Sequence, residues 1–126
     1  MIRKLVGMIG VATVLAGLGQ VALPVRALAF LASTPPASPS IFLIVTLGLF
    51  TTLFGAALLH ETYLGVPGVA TLWAGAQKLV GAASVLIAVA IGALACRALL
   101  VTGFDAACGV VILVARVRSR GGYGTT

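Results

Sequence analysis

Residues 41–59 read IFLIVTLGLFTTLFGAALL, and this run decides the fold. It holds no charge and no proline, and it is apolar on every side instead of alternating. A membrane strand alternates over about 10 residues. A helix rising about 1.5 Å per residue needs about 20 apolar residues to cross ~30 Å of hydrocarbon. The run is therefore predicted to be a membrane-spanning helix, apolar all round as in a bundle within lipid.

The same reading extends outward. No charge occurs from Leu5 to Val25, from Ala27 to His60, or from Leu79 to Cys96. Charged residues make up 8% of the 126-residue chain and hydrophobic residues 61%, where a soluble domain carries about 25% charged residues. The length suits one domain. The fold class expected is all-α: an integral membrane bundle of four transmembrane helices, up-down-up-down, with spans at about 5–23, 41–59, 73–94 and 99–115.

The breaks between spans carry their own chemistry. Pro24 ends or kinks the first helix, because proline lacks the N–H that a helix interior uses. Residues 25–32 then continue obliquely or lie in the interface. Residues 33–40, STPPASPS, form the clearest loop, and Gly65-Val66-Pro67-Gly68 forms the second turn. The third turn has two registers. Cys96-Arg97-Ala98 gives the fourth span above, whereas Thr102-Gly103-Phe104 would make Asp105 a helix cap and leave a span too short without bilayer thinning. Residues 116–126, RVRSRGGYGTT, are expected to be a flexible basic tail.

Arg3-Lys4, the apolar run, Pro24 and Ala27-Leu28-Ala29 also resemble a secretory signal cleaved after Ala29. The apolar stretch is longer than the usual ~7–15 residues, which favours a retained span.

Four spans place both termini on one side. That side holds Arg3, Lys4, Arg116, Arg118 and Arg120, and the other only Arg26 and Arg97. Basic residues stay in the cytoplasm, so a cell (inner) membrane protein with cytoplasmic N- and C-termini is expected. The net charge of +6 therefore reads as membrane topology. No Lys/Arg patch interleaved with aromatics suggests nucleic acid. The partners expected are membrane lipid and either other membrane subunits or a second copy in a homo-oligomer.

Without a hydrophobic force between helices in lipid, small residues must allow close contact. The third span is densest in them, from Gly75 to Gly92, and is expected to be the most enclosed. Gln20 is expected to bond a neighbouring helix.

Ionisable groups inside a membrane default to functional candidates. Lys78 either snorkels to the surface or joins Glu61, His60 and Gln77 in a polar site near the inner face. Such a site could hold a headgroup, a quinone or a proton. Asp105 is expected to pair with Arg97 within the membrane. Helical rise separates Lys78 from Asp105 by more than about 10 Å, counted from their shared turn. Cys96 and Cys108 are poorly placed for a disulfide, which needs Cα atoms within about 7 Å. No catalytic triad, phosphate loop or metal cluster is recognisable, and the sequence names no cofactor.

Leu15-Ala16-Gly17-Leu18-Gly19 with Pro24, Lys78 early in the third span, and Phe104-Asp105-Ala106 in the last resemble the DoxX-like group of small four-helix membrane proteins. That resemblance implies a four-helix bundle, often tied to membrane redox or stress systems, and supplies no catalytic residue.

Three functions fit: a non-enzymatic accessory or scaffold subunit of a larger membrane complex, a small redox component or enzyme acting on a lipid-soluble substrate near His60, Glu61 and Lys78, and a dimeric small-solute transporter. The sequence leans away from an enzyme.

Overall fold

Among its described residues, the computed structural model of the protein holds five helices. The structure describes residues 2–32, 34, 38–64 and 68–121. The helices are α1 (Ile2–Ala22), α2 (Pro24–Leu31), α3 (Ser38–Leu64), α4 (Val69–Ala90) and α5 (Ala98–Gly121). Four of them, all but α2, are long and apolar enough to cross a membrane. The chain is an all-α membrane bundle, with no strand among the described residues beyond a single bridge between Ala32 and Leu94.

The helix ends depart from the predicted spans for local reasons. Leu23 breaks the chain and Pro24 then opens α2, where its missing N–H and fixed φ cost nothing. Pro39 is likewise tolerated in the first turn of α3. At its other end α3 runs past Leu59 to Leu64, and α4 starts at Val69, ahead of Trp73. Most of the STPPASPS loop, and the Gly65-Val66-Pro67 part of the second turn, lie outside the described residues, as do residues 122–126 of the tail. The first part of that tail is helical instead, because α5 continues to Gly121.

The third turn takes the earlier of the two registers, with a longer connection than expected. α4 stops at Ala90 because Gly92 adopts φ +76°. The Gly92 N–H donates to the Val89 carbonyl, and the Ala93 N–H to the Ala88 carbonyl. These two bonds and the left-handed glycine form a Schellman cap, which satisfies carbonyls the helix would otherwise orphan. Residues 91–97 are thus outside both helices.

Packing divides the bundle into two close pairs, α1 on α3 and α4 on α5, with fewer contacts between the pairs. Glycines make the close approach possible. A Cβ on Gly48 would meet the Gly17 carbonyl oxygen at 2.8 Å, and one on Gly55 would meet the backbone nitrogen of Val14 at 2.8 Å. On the other pair, a Cβ on Gly109 would meet the Gly75 carbonyl oxygen at 3.1 Å and the side chain of Leu79 at 2.9 Å. Backbone against backbone is how dispersion holds helices together in lipid. A core of Val6, Ile9, Leu58, Ala74, Cys108, Ile112 and Ala115 joins the two pairs. The third span is not the most enclosed, since a smaller share of α4 is buried than of α1 or α5. Its small residues on one face pack against α5, but Gly81 has open space before it.

Candidate functional site

The charges of the interior are arranged as helix clamps. Lys78 in the middle of α4 is buried, and its Nζ lies 2.5 Å from Asp105 Oδ1 on α5. The lysine side chain is 6% exposed and that of the aspartate 28%. The ammonium also stands 5.9 Å from the centre of the Phe104 ring, a cation–π contact. Cys108, one turn along α5 from Asp105, is buried and free, while Cys96 is free and exposed.

This pairing corrects two expectations. Lys78 does not snorkel, and Asp105 meets Lys78, not Arg97. The physical reason is the long turn. With residues 91–97 outside the helices, Lys78 lies only about 18 Å from the end of α4 and Asp105 about 10 Å from the start of α5. The packing register does the rest: a Cβ on Gly109 would meet the Gly75 carbonyl oxygen at 3.1 Å, which sets Lys78 within about one turn of Asp105 along the antiparallel pair.

Arg97 does something else. Its Nε donates to the Phe30 carbonyl, and its Nη2 donates to the carbonyls of Ala29 (2.6 Å) and Ala32 (3.1 Å). The Ala95 N–H donates to the Leu31 carbonyl at 2.9 Å. Together they cap the C-terminus of α2, where orphan carbonyls and the helix dipole both favour a cation. At the opposite end of the bundle Arg3 caps α3 in the same way. Its Nε donates to the Thr62 carbonyl at 3.0 Å and its Nη2 to the Tyr63 carbonyl at 3.2 Å.

Glu61 caps in the reverse sense. Its carboxylate accepts from the backbone N–H groups of Gly68, Ala70 and Thr71 at 2.7–2.9 Å and from the Thr71 hydroxyl at 2.6 Å. The first turn of α4 has no side-chain cap of its own, so an acid from α3 meets the exposed donors and the positive end of the dipole. Glu61 reaches α4 only as far as Thr71, seven residues and about 10 Å before Lys78. The expected group of His60, Glu61, Gln77 and Lys78 is therefore divided. His60 is exposed, Glu61 is a cap, Lys78 holds Asp105, and the side-chain oxygen of Gln77 is buried with no hydrogen-bond partner among the described residues.

Two further buried polar groups stand out. The Gln20 side-chain oxygen finds no partner among the described residues, contrary to the interhelical bond expected. Arg116, expected in the flexible tail, is 7% exposed, with Nη1 unpartnered. Seven hydroxyls, on Thr13, Thr46, Thr52, Thr62, Ser84, Thr102 and Ser119, donate to carbonyls four residues back in their own helices. Such back-bonding is how hydroxyls are satisfied without leaving the helix. Among the described residues no three His, Cys, Asp or Glu side chains gather as metal ligands would.

The capping roles of Arg3, Arg97 and Glu61 escaped sequence reasoning because their partners are backbone groups, which any residue supplies. Gly92 was the local signal for the end of α4, a glycine within the apolar run at which a left-handed cap can form.

No protein-family model, curated protein or solved structure matches the chain. The fold and this geometry define its class: a small multi-pass membrane protein.

Proposed function

We propose that the protein is a non-enzymatic accessory or scaffold subunit of a larger membrane assembly. One observation carries this reading: both acidic side chains of the chain are engaged in joining helices, Glu61 to the start of α4 and Asp105 to Lys78. General acid–base work needs a titratable group within reach of a substrate proton, and neither carboxylate stands apart for it. The side chains turned outward are large and apolar, among them Phe42, Leu43, Phe50 and Leu53 on α3, suited to lipid and to neighbouring helices.

The membrane is the cell inner membrane and both termini are cytoplasmic in this reading. Supporting it, Ile2 packs against the core cluster that Ala115 belongs to, which suits a shared end of the bundle for the basic residues near both termini. The reading includes kinship with the DoxX-like group, which rests on the sequence resemblance at Leu15 to Gly19 with Pro24, at Lys78 and at Phe104-Asp105-Ala106.

Purification from native membranes in mild detergent tests the role. A defined complex with another membrane chain, or a homo-oligomer, surviving size-exclusion chromatography is expected. A monodisperse monomer without partners overturns it. A second reading, a dimeric small-solute transporter, rests on the buried ion pair, since intramembrane charge pairs mark ion and substrate pathways. It requires solute flux in proteoliposomes that Asp105→Asn abolishes.

A further inference from the structure

Two open cavities on the outer side of α1 join end to end. The first, at the end of the bundle where α1 begins, is lined by Arg3, Lys4, Thr62 and Tyr63 together with Gly7 and Leu59. The second shares Gly7 and Leu59 and continues along α1 past Met8 and Val11 to Leu15. The combined groove is cationic at its mouth and apolar along its length. From Arg3 to Leu15 it extends about 18 Å by helical rise, close to one leaflet, half of ~30 Å of hydrocarbon with some headgroup depth.

The chemistry of the mouth is that of a phosphate site. Arg3 is held in place by its two bonds to the end of α3, and a guanidinium has five N–H donors, so three remain. Lys4 is exposed and makes no hydrogen bond or ion pair among the described residues. Tyr63 is 86% exposed, at the level where amphipathic rings meet headgroups. The carboxylate of Glu61, one residue before Thr62, is turned onto the start of α4 by four hydrogen bonds and does not line the mouth. Gly7 keeps the groove open. A Cβ there would meet only Thr62 Cγ2, at 3.5 Å, unlike the tight glycines further along α1.

We propose that this groove binds one anionic phospholipid, its phosphate against Arg3 and Lys4 and an acyl chain along Gly7, Met8, Val11 and Leu15. The site is independent of the Lys78–Asp105 pair and of any protein partner.

Native mass spectrometry of the intact protein, released from detergent with phosphatidylglycerol or with phosphatidylcholine of the same acyl chains, tests it. The expected result is one retained phosphatidylglycerol in clear preference to phosphatidylcholine. Lys4→Gln lowers that preference about fivefold, the worth of one cation near an anionic surface. Gly7→Leu fills the groove and removes retention of both lipids, with unfolding unchanged as the control. Equal retention of the two lipids, or a preference that Lys4→Gln leaves intact, overturns the proposal. Lys4 holds no structural contact, so that variant decides even where Gly7→Leu fails to fold.

Discussion

Removing one member of the Lys78–Asp105 pair should destabilise the bundle far more than removing both. With charge centres roughly 4 Å apart and an effective dielectric constant near 20, their attraction is about 4 kcal/mol. Each ion has also paid several kcal/mol to leave water. Asp105→Asn leaves a 6%-exposed ammonium without its counter-charge, and about 3 kcal/mol of stability should be lost. Lys78→Met isolates a carboxylate that is 28% exposed, and the loss should be somewhat smaller, about 2 kcal/mol. The double variant Lys78→Met/Asp105→Asn removes both charges and should fall within about 1 kcal/mol of the original chain. The coupling energy is then about 4 kcal/mol, well above the ~0.6 kcal/mol average, and ~1.7 maximum, measured for neutral hydrogen bonds between membrane helices. Reversible unfolding of the four proteins by SDS in mixed micelles, followed by circular dichroism, gives the cycle. Additive losses, or an Asp105→Asn variant as stable as the parent, would refute the reasoning, because then the pair does not share its desolvation cost.

Other contacts give shorter tests. Gly48→Val should cost more than about 2 kcal/mol, since its Cβ would meet the Gly17 carbonyl at 2.8 Å, while Gly81→Ala, with nothing within 4 Å, should gain up to about 1 kcal/mol; thermal unfolding in detergent compares them. Glu61→Ala should cost about 1–2 kcal/mol as a lost helix cap and accelerate hydrogen exchange at Gly68, Ala70 and Thr71, with no such acceleration in a Tyr63→Ala control. Arg97→Ala should release the end of α2, read as faster proteolysis near Ala29, while Arg97→Lys, lacking the planar fork, restores only part of the protection. Cys96 is exposed and Cys108 buried, so an impermeant maleimide added outside intact cells should label the chain, and Cys96→Ser should abolish the labelling; labelling only after permeabilisation would invert the proposed orientation.

The four spans were legible because the bilayer sets a length, and the gaps between charges report that length directly. The ion partners were not legible, because partner choice depended on how many residues the third turn consumes. Counting Lys78 and Asp105 from a tight turn at Cys96-Arg97-Ala98 separated them. The left-handed Gly92 cap moved the end of α4 back to Ala90 and brought them within reach. Arg97, read as the counter-ion of Asp105, instead serves three carbonyls around the end of α2. Backbone acceptors carry no side-chain signature, so this role had nothing in the residue types to announce it. The burial of Arg116 was hidden differently: as one of three arginines before a glycine-rich end, it matched the pattern of a solvated tail.

The ion pair also bears on how the chain enters the bilayer. A lone lysine or aspartate at the centre of an inserting helix costs about 2.5–3.5 kcal/mol. Lys78 and Asp105 lie on consecutive helices separated only by residues 91–97, so each charge meets its neutralising partner within one hairpin. Leaving the translocon together, α4 and α5 present lipid with a dipole in place of two monopoles. Their adjacency in the chain therefore lets this hairpin settle as a neutral unit before it docks on α1 and α3.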